Sequence, residues 1–101
     1  MTSRDLLSMV AAVSVKTRSY NRDATMASIT EELGELATEI AIENGWKNRE
    51  AGPDGVVGEG IDLLICVVDL LHMHLGHHLE SEEFLDKVQL KLDKWERKCS
   101  E

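Results

Sequence analysis

The chain has 101 residues, a formal net charge of −8, 43% hydrophobic residues and 30% charged residues. That mixture is globular rather than disordered, and so negative a surface repels nucleic acid and anionic membranes, neither of which is expected as a partner. The length suits one domain over residues 1–101, small enough that oligomerisation is a natural route to added stability.

The first predicted helix runs from about Ser3 to Tyr20, with Leu6, Met9, Val10 and Val13 on one face at helical spacing. Asp5 and the short apolar middle of this stretch do not read as a secretory signal. A polar connector, NRDAT, precedes a second helix from about Thr25 to Asn44. Met26, Ile29, Leu33, Leu36 and Ile40 form its apolar stripe. Ser28 and Glu31 either form a capping box or fall inside that helix, and Gly45 is the expected stop. The stretch NREAGPDG, which holds the single proline Pro53, is the clearest loop. A third helix is expected from Asp54, as N-cap, to Gly76. A fourth starts at about Ser81, where Glu82 and Glu83 suit the positive end of the helix dipole. Phe84, Val88, Leu92 and Trp95 mark its apolar side. No strand alternation is visible, so the expected fold is all-α and four-helix bundle-like.

The third helix is unusual. From Leu63 to Val68 every residue is apolar, and a helix apolar on all sides must be covered on all sides. Three short neighbours from one chain do not suffice, which predicts a homodimer or a dimer of dimers. Asp62 and Asp69 interrupt the run Ile61–Leu71, which is too short and too acidic to span a bilayer. Cys66 and Cys99 form no CxxC pattern, so neither a disulfide framework nor a zinc site is expected. A reducing cytoplasm is the expected compartment.

Two acidic motifs flank this apolar segment. Glu31, Glu32 and Glu35 stand in EELGE, and Glu59 and Asp62 stand in GEGID. Residues three apart on a helix share a face. Antiparallel packing across the NREAGPDG loop would bring Glu32 and Glu35 to Glu59 and Asp62. Converging carboxylates persist only when protonated or neutralised by a cation, and hard oxygen donors suit Mg2+, or Mn2+, rather than zinc. Gly34 and Gly60 sit inside these motifs. Glycine costs roughly 1 kcal/mol against alanine within a helix, so a ligand or a second backbone is expected close by. Taken singly, each motif is also what a solvated helix face looks like.

Together, EELGE, GEGID and LLICVVDLL resemble the all-α nucleoside triphosphate pyrophosphohydrolases of the MazG-like group, whose motif is EExxE, a spacer, then ExxD. The resemblance covers about residues 25–75. It implies a MazG-type helical fold and an enzyme that hydrolyses a (d)NTP to the (d)NMP and pyrophosphate, cleaning the nucleotide pool. It implies Glu32, Glu35, Glu59 and Asp62 as Mg2+ ligands. Glu31 is a candidate to orient or deprotonate water or to assist a second metal, and Glu39 extends the acidic strip. Family members often grip phosphates from the last helix. Here Lys91, Lys94 and Lys98 are the candidates, with Arg97 behind them. Either Trp95 stands where an asparagine is often found or the register of this helix is shifted, and Cys66 stands where a tyrosine often is.

Trp46 is a candidate to stack on a base or to plug a dimer core. Asp69 shares a face with Asp62 and Cys66, as a supporting group or a salt-bridge partner. His72, His74, His77 and His78 read as a solvated helix end rather than a metal site. Two other functions fit the sequence: phosphoribosyl-ATP pyrophosphohydrolase, and a non-catalytic helical dimerisation or nucleotide-sensing module.

Overall fold

The computed structural model describes residues 3–17, 21–75 and 81–100, with side chains from residue 6 in the first segment up to residue 14. Four helices follow one another: α1 Ser3–Thr17, α2 Arg22–Glu43, α3 Gly55–Leu75 and α4 Glu82–Cys99. The described residues contain no strand, so the all-α expectation holds.

Helix α2 begins earlier than its apolar pattern suggests. Asn21 is the N-cap, its side chain accepting from Ala24 N, and the connector NRDAT is mostly helix. Ser28 therefore lies inside α2, where its hydroxyl donates to the Ala24 carbonyl at 3.2 Å instead of forming a capping box. The predicted stop is observed. Gly45 adopts φ +74, its N–H donates to Ile42 O at 3.0 Å, and Trp46 N–H donates to Ala41 O at 2.8 Å. That pair of bonds is a Schellman motif, and its left-handed residue favours glycine.

The loop returns the chain so that α3 runs antiparallel to α2, the pair that packs most extensively. Their far ends meet where the Thr25 hydroxyl lies 4.0 Å from Met73 Sδ and Arg22 Nη1 lies 3.2 Å from His74 Nδ1. At the start of α3, the Asp54 carbonyl accepts from Gly58 N at 3.1 Å.

Helix α1 crosses α3 on another side. Val10 and Val68 are the buried apolar pair, with Leu6, Leu7, Leu75 and Phe84 packed around them. The buried Ser14 hydroxyl donates to Asp69 Oδ1. Asp69 therefore ties α3 to α1 by a hydrogen bond, while the basic side chains of α1 lie outside the described residues.

Ser81 caps α4 as expected, accepting from Phe84 N at 3.2 Å. Beyond that first turn the expectation changes. Helix α4 packs along none of the other helices, and Val88, Leu92 and Trp95 are exposed. Ile61, Leu64, Ile65 and Leu71 of α3 are exposed as well. His72 is buried, so the histidine segment is not simply a solvated end; His77 and His78 lie outside the described residues. Among the described residues, no helix is long and apolar enough to cross a membrane.

Candidate functional site

The antiparallel α2–α3 pair carries the acidic motifs to one level. Glu32 comes from the middle of α2, and Glu59 and Asp62 come from the first turns of α3. One carboxylate oxygen from each of the three lies within 4.8 Å of the others, and all three side chains are half-buried. Oε2 of Glu32 and Oε2 of Glu59 are shielded from solvent and have no hydrogen-bond partner. Buried acceptors are nearly always satisfied. Three converging carboxyl groups with two orphaned oxygens could hold a hard cation.

The electrostatics follow from this crowding. Partial desolvation, then the adjoining Glu35 carboxylate, then Asp62 and Glu32, push Glu59 up to about 7 from its usual 4.5. Glu32 is raised for the same reasons, desolvation first, then Glu35 and Asp62. Cys66 lies one turn beyond Asp62. Desolvation first, then Glu32, Asp69 and Asp62, raise its thiol, which keeps it protonated.

Glu35 lies beside Glu32 and Glu59 but outside the three-carboxylate group. It faces an adjoining cleft of about 550 Å3, lined also by Glu31, Gly34, Thr38, Glu39, Arg49, Gly52 and Glu59. Glu31 is exposed at this cleft. Glu39 is only 5% exposed, and its Oε1 accepts from Gly52 N at 2.7 Å. Arg49, Thr38 and Gly52 were not expected at the site. The signal for Glu39 was its position one turn after Glu35, whereas a loop residue such as Arg49 has no periodicity to betray it.

Lys91, Lys94 and Lys98 do not line this cleft. They are exposed on α4, which among the described residues meets the rest of the chain at Phe84 in its first turn. Trp46 follows the α2 cap, is 76% exposed and does not line the cleft either. Within one chain it neither plugs a core nor stands at the acidic group. No backbone or side chain comes within 4 Å of a Cβ built at Gly34 or Gly60. The close neighbour expected at these glycines is therefore not part of the described chain.

No family model and no solved structure matches the chain. Over 85 residues it is 35% identical to the uncharacterized protein YpjD of Bacillus subtilis strain 168, a match that covers 74% of this chain and 71% of YpjD. At that identity and coverage, the chain belongs to the same family as YpjD.

Proposed function

We propose that the chain is a Mg2+-dependent nucleoside triphosphate pyrophosphohydrolase of the MazG-like kind, converting a (d)NTP to the (d)NMP and pyrophosphate. The observation that carries this reading is the convergence of Glu32, Glu59 and Asp62 with two shielded oxygens lacking partners. These residues fit a hard divalent cation and would hold it, with Glu35 adjoining. When bound, such a cation neutralises polyphosphate charge and supplies Lewis acidity. The chain's own residues do the rest. Glu31, exposed at the cleft, accepts a proton from the attacking water, and Glu35 keeps that water oriented beside the phosphates. Water adds at phosphorus, the bond between the α and β phosphates breaks, and pyrophosphate leaves.

The same reading includes assembly. The accessible surface is 7599 Å2, against roughly 5700 Å2 for a compact monomer of this mass. Large apolar side chains are exposed on all four helices, among them Val57 and Ile61 of α3 and Leu90 and Trp95 of α4. A homodimer or homotetramer covers it.

Release of pyrophosphate from a panel of dNTPs and NTPs with Mg2+ tests the activity. At least one nucleotide is expected to turn over, with loss in Glu35→Gln and Asp62→Asn. Silence from well-folded wild-type protein on every nucleotide contradicts the reading.

A further inference from the structure

The cleft beside the three-carboxylate group has its own design. Its floor is one face of α2, where Gly34 and Thr38 are a turn apart. A Cβ at Gly34 would meet nothing within 4 Å, so packing within the chain does not require the glycine. Its effect is to keep the floor low. One wall is the NREAGPDG loop, which brings in Arg49 and Gly52. Gly52 approaches so closely that a Cβ there would lie 2.5 Å from Glu39 Oε1. The other wall includes Glu39, more than nine-tenths buried. Its Oε1 is taken by the loop, while its Oε2 is shielded and has no hydrogen-bond partner.

A buried carboxylate oxygen without a donor is costly, and so selects for a ligand that brings one. Among the described residues of the lining, Arg49 is the single cationic side chain, beside Glu31, Glu35, Glu39 and Glu59. The volume, about 550 Å3, falls within the usual range of roughly 300–1,000 Å3 for small-molecule sites.

We propose that this cleft receives the nucleoside end of the substrate, and that Glu39 is its specificity-determining residue, with Oε2 accepting from a sugar hydroxyl or a base amino group. The inference rests on the nucleotide reading above and adds to it which residues read the nucleoside. Oε1 holds the loop in place, and Oε2 of the same carboxylate is the acceptor left for the incoming donor. Gly34 leaves room for the ring above the helix, and Arg49 offsets the negative lining next to the phosphates.

Glu39→Gln separates these roles. The amide oxygen still accepts from Gly52, but an NH2 group replaces the Oε2 acceptor. Full-length wild type and the variant are assayed with Mg2+ on the nucleotide panel, with inorganic tripolyphosphate as a nucleoside-free competitor. The expected result is a tenfold or greater rise in KM for the preferred nucleotide, a flatter preference across bases and sugars, and an unchanged Ki for tripolyphosphate. Gly34→Leu, which fills the floor from the opposite side, is expected to raise KM in the same way while melting no lower than wild type; it carries the test if Glu39→Gln does not fold. Wild-type turnover with unchanged KM and preference in the variants overturns the assignment of the cleft and leaves the hydrolase reading standing. An equal loss of tripolyphosphate and nucleotide affinity in Glu39→Gln assigns Glu39 to the cation and also overturns it. Absence of wild-type turnover overturns both.

Discussion

Glu32 on α2 and Glu59 on α3 each direct a carboxylate oxygen into one shared space with Asp62, and the Oε2 of each is shielded and has no hydrogen-bond partner among the described residues. Like charges held this way resist ionisation. The pair is therefore a point of crowded like charge, and the proposed cation would turn that crowding into attraction.

The pH dependence follows in sign. Glu59 titrates near 7 in the folded state against a usual 4.5. Between these values the folded chain keeps a proton that the unfolded chain has released. Stability therefore falls as pH rises through the window; the contribution is full below 4.5 and lost above about 7. Thermal melts in a chelating buffer are expected to show a declining midpoint from pH 4.5 to 7. A midpoint rising across that window contradicts the crowding. Mg2+ is expected to raise the midpoint more at the upper end, where it competes with fewer protons.

Glu59→Gln removes one charge from the group. In chelator at pH 7.5 the variant is expected to melt higher than wild type, whereas with Mg2+ it gains less. Wild type alone should be strongly stabilised by the ion. Differential scanning fluorimetry of the four samples decides this, and a variant that melts lower than wild type without metal argues against repulsion at Glu59.

Asp62→Asn keeps the shape and removes the charge. Turnover of the preferred nucleotide is expected to fall by about 100-fold or more, the scale on which single electrostatic groups act in catalysis. The check is kcat with Mg2+ at saturating substrate. A loss under threefold sets Asp62 outside the reaction.

Ser14→Ala probes the scaffold instead. It leaves Asp69 without its hydroxyl donor at the α1–α3 crossing, and orphaning an acceptor of this kind costs about 1–3 kcal/mol. Urea denaturation should show that loss while the response to Mg2+ is retained. An unchanged midpoint means that Asp69 finds another donor.

Much of the architecture was legible in residue order because local chemistry encodes it. Ser81 before two glutamates marks the start of α4, and Gly45 marks the end of α2 through the left-handed turn it adopts. The two acidic motifs on either side of a glycine- and proline-containing loop pointed to an antiparallel meeting of Glu32 with Glu59 and Asp62. What stayed hidden depends on tertiary placement. Asn21 looks like connector in the sequence because polar residues at the start of α2 obscure its first turn. Glu35 shares a helical face with Glu32, yet one further turn moves it from the three-carboxylate group to the edge of the cleft. Periodicity gives α4 an apolar face in Val88, Leu92 and Trp95, but not what covers that face, and among the described residues all three are exposed. Arg49 lies on a loop, where no repeat pattern exists to point to it.

Isothermal titration of Mg2+ into chelator-treated protein at pH 7.5 tests the carboxylate group most directly. Saturable binding to wild type, abolished in Asp62→Asn and Glu59→Gln, is the predicted result. Undetectable binding to folded wild type, or equal binding to all three proteins, contradicts it.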